Sequence, residues 1–242
     1  MSDAAMDKKT VHSDREIFRT RPNKLNTIIW DWNGTLLDDA DICVEVENSL
    51  LRERGIEPLL DKSRYQEIFG FPVIDYYRRA GLSFETESYQ AIADIYINRY
   101  TERSRACGLF PDARAALESL NAMGFRQVII SASHSGLLLD QIRPFRIENY
   151  FDYIIGQDDA YAHGKKEAAL RWMRDCGIDN KTTVLVGDTT HDYEVACALG
   201  CGCVLVRNGH HSRERLEKCG CHIADSLTEA VNNISNLCLK NT

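Results

Sequence analysis

Asp31, Ser131, Lys165, Asp188 and Asp192 are the residues whose types and surroundings point to chemistry. Asp31 follows the apolar run Thr27-Ile28-Ile29-Trp30 and precedes Asn33-Gly34, a strong turn signal. Ser131 ends the run Val128-Ile129-Ile130, and Asp188 follows Val184-Leu185-Val186-Gly187. Asp192 lies one helical turn beyond Asp188, and Lys165 stands at the start of a run with helical character. Parallel strands place their carboxyl ends on one edge, so a carboxylate nucleophile, a hydroxyl, an ammonium and an acidic pair can converge there. That set suits phosphoryl transfer. A phosphate ester repels a carboxylate; Mg²⁺ held by Asp31 and Asp188, with the charge of Lys165, would cancel the repulsion. Ser131 would donate to one phosphoryl oxygen, and backbone N–H groups around Gly34 and Thr35 would cradle the others. Asp31 would then carry an aspartyl-phosphate that water hydrolyses.

The elements that must position these groups follow from periodicity. Strands are expected at Thr27–Trp30, Gln127–Ser131, Phe151–Ile155, Thr183–Val186 and Cys203–Val206, with a short extended piece at Cys221–Ile223. Helices are expected to alternate with them: Pro111 to Met123, Ser133–Ile142, Gly164–Cys176, Asp192–Leu199, Glu214–Lys218 and Leu227–Ile234. Alternation of this kind predicts an α/β fold with a Rossmann-like parallel sheet. It is interrupted once. Asp39 is placed to cap a helix ending near Arg54, and Tyr65–Phe69, Val73–Arg79 and Glu87–Arg103 also read as helical, with no convincing strand between Ile56 and Gly108. The predicted organisation is an extension at 1–24, a core at 25–40 and 109–242, and an inserted helical cap at 41–108.

The bulk numbers exclude some functions. A net charge of −7 disfavours non-specific nucleic-acid binding, which needs a basic face. No run of about 18 apolar residues suggests a membrane span, and Met1–Lys24 lacks the apolar centre of a signal peptide, so a cytoplasmic location is expected. Nine cysteines are then free thiols in a reducing compartment. Cys201, Cys203, Cys219, Cys221 and His222 resemble a zinc set, but Cys203 and Cys221 begin extended pieces, where residues two apart share a face and cysteines serve as small core residues. His163 reads as a surface histidine and His210-His211-Ser212-Arg213 as a solvated basic loop.

Four segments resemble, in order, the motifs of the haloacid dehalogenase superfamily. Asp31-x-Asn33-Gly34-Thr35-Leu36 resembles the first, Ile129-Ile130-Ser131 the second, Lys165 the third, and Gly187-Asp188-Thr189-Thr190-His191-Asp192 the fourth. The helical insertion is similar to a C1-type cap, and the whole looks most like the phosphoglycolate-phosphatase-like group. The resemblance implies a Mg²⁺-dependent phosphatase acting on a small phosphorylated metabolite. Asp31, Asn33 (through its carbonyl), Asp188 and Asp192 would hold the metal. Gly34, Thr35, Ser131, Ala132 and Lys165 would contact phosphate, with Lys166 the rival to Lys165. Phe69-Gly70-Phe71-Pro72 resembles a cap segment that dips toward substrate, whereas Tyr76 and Tyr77 fit either cap surface or core.

One residue departs from the pattern. Phosphatases of this superfamily usually carry a second aspartate two positions after the nucleophile, where this chain has Asn33. An amide carries no proton in either direction at neutral pH. General acid–base help is worth about 10²–10⁴-fold, so alkyl phosphates should turn over slowly and substrates with good leaving groups less so. The alternatives are a phosphate-binding or regulatory protein with weakened turnover, or a different bond specificity. Dehalogenases of the superfamily usually have a tyrosine at that position. Phosphonate hydrolases share Trp32 but need a cap lysine where this chain has Pro72-Val73.

Overall fold

The computed structural model describes residues 26–58, 61–158 and 165–240. The expected extension at 1–24 and His163 lie outside them. In chain order the elements are β1 (Thr27–Trp30), β2 (Leu37–Asp38), α1 (Ala40–Glu53), α2 (Lys62–Ile68), α3 (Val73–Ala80), α4 (Tyr89–Arg103), β3 (Gly108–Leu109), α5 (Ala113–Ala122), β4 (Arg126–His134), α6 (Ser135–Ile142), β5 (Tyr153–Gln157), α7 (Lys166–Asp175), β6 (Thr183–Gly187), α8 (Thr190–Leu199), β7 (Gly202–Val206), α9 (Arg213–Leu216), β8 (His222–Ala224) and α10 (Leu227–Lys240).

The main sheet has the order β5-β4-β1-β6-β7-β8 and is parallel throughout. Its central strands are apolar on both faces because helices cover both. Ile28 and Trp30 of β1 pack with Leu117 of α5, Leu138 of α6 and Val231 of α10. Ile29, between them, faces the other way onto Trp172 of α7 and Val195 of α8. Successive strand residues thus feed two cores, which makes a three-layer α/β/α sandwich. The buried indole N–H of Trp30 donates to Gln127 Oε1 at 2.9 Å and the Thr27 hydroxyl to Asn26 Oδ1 at 2.8 Å, so both polar side chains in this run are satisfied.

β1 is flanked by β4 on one side and β6 on the other. The chain leaves β1 toward β4 and β5 and later returns to β6, so the strand order reverses at β1. The crevice beyond its carboxyl end is the place where such sheets bind ligands.

Helices α1–α4 surround a separate apolar cluster that includes Leu50, Tyr65, Tyr76, Tyr77 and Ile92. The short antiparallel pair β2 and β3 carries the chain into and out of these helices; two-residue strands leave no alternation to read, and the sequence did not suggest them. β4 also runs three residues past Ser131, because Gln157 of β5 pairs opposite His134 and prolongs the ladder. Its extra length shortens α6 at its start relative to expectation. Cys203 and Cys221 are half-buried against Leu205, Leu216 and Ile223, in the packing role expected of small core residues. No helix among the described residues is long and apolar enough to cross a membrane.

Candidate active site

Asp31 follows β1 directly, and its backbone N–H donates to Val186 O of β6, which fixes the carboxylate at the sheet edge. Its Oδ1 meets the ammonium of Lys165, a wholly buried side chain at the N-terminus of α7. The same ammonium lies 2.6 Å from Asp192 Oδ1. Lys166 instead pairs with Glu167, with its side chain 48% exposed, so of the two lysines Lys165 is the one that meets these acids. Thr35 Oγ1 donates to Asp188 Oδ1 at 2.8 Å.

The fourth segment is shaped by helix capping. The Thr189 hydroxyl accepts from Asp192 N, while Asp192 Oδ2 accepts from Thr189 N at 2.9 Å and Thr189 Oγ1 at 2.6 Å, a reciprocal capping box that starts α8. The two oxygens of Asp192 are therefore divided: the box holds one and leaves the other for Lys165.

Carboxylate oxygens of Asp31, Asp188 and Asp192 all come within 4.8 Å of one another. Burial and the neighbouring acids push Asp31 up to about 8, despite Lys165. Burial likewise raises Asp188 to about 6. Asp192 falls below the ordinary carboxylate range; burial opposes this, but Lys165 and Thr189 outweigh it. For Lys165, burial disfavours the charge and the two carboxylates more than restore it. Three acids with one ammonium between them hold excess negative charge. A hard divalent cation fits that donor set of Asp31, Asp188 and Asp192.

Asn33 sits in a closed network. Its Nδ2 donates to Asp39 Oδ2 at 2.9 Å and to Tyr100 OH at 2.7 Å, and its Oδ1 accepts from Ser133 Oγ at 2.7 Å. Tyr100 OH donates to Asp39 Oδ2 at 2.5 Å and accepts from Gln141 Nε2 at 3.1 Å. Both amide protons of Asn33 are thereby engaged, and the side chain ties the loop after β1 to α4. Ser131 Oγ accepts from Ser133 N at 3.1 Å and lies 3.5 Å from Asn33 Oδ1.

Several sequence expectations change here. Asp39 precedes α1 but makes no side-chain cap bond; its carboxylate instead accepts from Asn33, Tyr100 and, at 2.9 Å, Gly34 N. Gly34 N also donates to Leu37 O and Thr35 N to Trp32 O, so the two N–H groups expected to cradle phosphate are engaged within the turn. Gly34 has φ +72°, and a Cβ there would strike the Asp188 carboxylate and the His210 ring, so its role in the structure is close approach. The expected solvated loop at 210–213 is half wrong: His210 and His211 are buried at 5% and 1% exposure. His210 N donates to Asp188 Oδ2 at 2.6 Å, its Nδ1 pairs with Tyr65 OH at 2.8 Å, and its Nε2 lies 3.4 Å from Asp39 Oδ1. Burial works against its charge, but Asp39, Asp188 and Asp31 raise it to about 9. His211, lowered by burial to about 3, is a neutral acceptor for Thr190 N.

Above the carboxylates lies a chamber of about 300 Å³. Asp31, Asn33, Ser131, Ala132, Ser133, Lys165 and His210 line its floor, and Phe69, Phe71, Tyr76, Tyr77 and Tyr96 are among its walls. Gly70 instead faces a second cleft beside Arg79 and Arg215. Sequence reading missed Asp39, Tyr100, Ser133 and His210. In the sequence the one local signal beside His210 is the turn pair Asn208-Gly209; the structure adds that Gly209 has no room for a Cβ beside Asp188.

The family model described as haloacid dehalogenase-like hydrolase matches residues 28–206. A phosphoglycolate phosphatase of Nitrosospira multiformis is 27% identical over 229 residues, covering 86% of this chain and 95% of the relative. Another, from Pseudomonas syringae pv. tomato, is 26% identical, covering 84% and 78%. The fold is similar to a haloacid dehalogenase-like family hydrolase of Streptococcus pneumoniae (TM-score 0.74, 21% identity, 86% of this chain and 98% of that one). The family match begins in the strand that presents Asp31 and ends with β7, taking in Lys165, Asp188 and Asp192 on the way, and so the chain belongs to the haloacid dehalogenase-like hydrolase family.

Proposed function

We propose that this chain is a Mg²⁺-dependent phosphatase for a small phosphorylated metabolite, with Asp31 as nucleophile. The observation that carries the reading is the position of Asp31 at the reversal of strand order, between the Lys165 ammonium and the Asp188 carboxylate. Mg²⁺ would be held by the Asp31 and Asp188 carboxylates with the Asn33 carbonyl, and when bound it would supply charge neutralisation and keep Asp31 ionised. Lys165 stabilises charge on the transferring phosphoryl group, and Ser131 presents its hydroxyl to one of its oxygens. Asp192 acts on Lys165, holding the ammonium between itself and Asp31. Residues 41–108 serve as a cap whose aromatic wall closes the chamber and excludes water from the aspartyl-phosphate until the leaving group has departed. The relatives named phosphoglycolate phosphatase support the reaction class.

Asn33 also supports a second reading, a phosphate-ligand protein with weak turnover, since neither amide proton is free for a leaving group. The two separate in one assay. Hydrolysis of 4-nitrophenyl phosphate that requires Mg²⁺ and is abolished in Asp31→Asn supports the enzyme. Binding of phosphate with Mg²⁺ but no turnover supports the alternative.

A further inference from the structure

We infer that the chamber takes a phosphate monoester whose leaving group is an uncharged aromatic alcohol or phenol, in preference to one bearing a carboxylate. The inference names the substrate class of the phosphatase proposed above and rests on that reading. Two separate observations carry it.

The first is the division of the chamber. Its charge lies on the floor, at Asp31, Lys165, Asp192 and the paired Asp39 and His210. Among the described lining residues contributed by 40–103, none is Lys, Arg, Asp or Glu. The wall is built from rings and aliphatic groups such as Phe71, Val73, Tyr77, Tyr96 and Ile97. Tyr77 and Tyr96 lie 6.0 Å apart between centroids, and Tyr96 stacks on Tyr100 at 6.1 Å with an interplanar angle of 7°. Two of the lining tyrosine hydroxyls are already engaged, Tyr65 OH with His210 and Tyr100 OH with Asp39. A leaving-group carboxylate entering here would lose its water without meeting a wall cation. An aromatic ring would exchange water for ring faces and edges. At about 300 Å³ the chamber is at the small end of ligand sites, which fits a phosphate with one or two rings.

The second is the absence of a proton donor at Asn33. An alkoxide must be protonated as it leaves, because its parent alcohol has a pKa near that of water, about 16. A phenol has a pKa of about 10, so phenolate departs unaided far more readily. Asp31 Oδ forms a bond to phosphorus as the P–O(aryl) bond breaks, and that electron pair leaves on the phenolate, which takes its proton from solvent. Water then attacks the aspartyl-phosphate, releasing inorganic phosphate and restoring the Asp31 carboxylate, with the excess proton passing to phosphate and solvent.

Three substrates separate the two observations in the full chain with Mg²⁺. Benzyl phosphate and phosphoglycolate both release alkoxides, so their comparison reads the wall. Phenyl and benzyl phosphate both carry a ring, so theirs reads the leaving group. The expected results are a KM for benzyl phosphate at least tenfold below that for phosphoglycolate, and a kcat for phenyl phosphate at least tenfold above that for benzyl phosphate. Ile97→Lys, which puts a cation in the wall, should reverse the KM order. Competition against 4-nitrophenyl phosphate by phenylphosphonate and phosphonoacetate in the unaltered chain reads the same preference without a variant, and the phenyl compound should win by at least tenfold. A KM for phosphoglycolate equal to or below that for benzyl phosphate, with 4-nitrophenyl phosphate still hydrolysed, overturns this inference and leaves the phosphatase intact. No hydrolysis of any of these phosphates overturns the phosphatase reading and the inference with it.

Discussion

Replacing Asn33 with aspartate places a second carboxylate where the amide now donates to Asp39 Oδ2 at 2.9 Å. Two unit charges at that distance repel by about 6 kcal/mol at an effective dielectric constant of about 20. That is about 4 pKa units, enough to bring an ordinary aspartate near pH 8. The pair of carboxyl groups that Asn33→Asp creates with Asp39 therefore keeps one proton at neutral pH, and that proton can reach a leaving alkoxide. A general acid contributes about 10²–10⁴-fold; because Asp39 shares this proton, a gain of about 10²-fold in kcat on benzyl phosphate is expected. On 4-nitrophenyl phosphate, whose leaving group needs no proton, kcat should stay within about threefold. The sign of the pH effect follows from the role. The acid works only while protonated, so the gain is present below the pair's pKa and is lost as pH rises through about 8. Adding Asp39→Asn removes the repulsion and should move that loss to lower pH. Steady-state phosphate release over pH 5–9 with both substrates measures all of this. A fall in benzyl phosphate turnover in Asn33→Asp, or equal gains on both substrates, would refute the reasoning and make the neutral tie from Asn33 to Tyr100 the reason for the amide.

Other expectations are as direct. Lys165→Met should lower kcat by about 10²–10³-fold, as loss of a preorganised charge contact does. Lys166→Met, one residue along and exposed, should leave kcat unchanged, and 4-nitrophenyl phosphate kinetics read both. Glu47 is buried in α1, and its burial pushes it up to about 8. The folded chain thus holds a proton that the unfolded chain loses near pH 4.5, so stability falls as pH rises from there to about 8, by about 1.4 kcal/mol per unit. Glu47→Gln removes that slope, and its Tm advantage over the unaltered chain should widen from pH 5 to 8; parallel Tm curves would refute the assignment.

What the sequence disclosed and what it concealed have a common physical origin. Asp31, Asp188 and Asp192 were legible because each is set by local chemistry: an apolar run ends, a turn follows, and a capping box opens α8. Lys165 was legible from its order along the chain, and its separation from Lys166 only from helix phase. The parallel sheet followed from alternating runs, and the two-stranded link at 37–38 and 108–109 did not, being too short for a period. The ring around Asn33 was hidden for a different reason. Asp39, Tyr100, Gln141 and His210 come from four elements or loops and meet only after the helices pack on the sheet. Each has an ordinary local explanation: a cap, a helix face, another helix face, a solvated loop. His210 misleads most, since a buried histidine beside two acids reads in sequence as part of a basic surface stretch.

The central claim is that Asp31 accepts the phosphoryl group. Mixing the full chain with 4-nitrophenyl phosphate and Mg²⁺, quenching with borohydride and mapping peptides by mass spectrometry tests it directly, because borohydride reduces an acyl phosphate to an alcohol. Homoserine at position 31, formed only when substrate is present, is the expected result. Sustained hydrolysis without homoserine at that position, or turnover retained in Asp31→Asn, would contradict it.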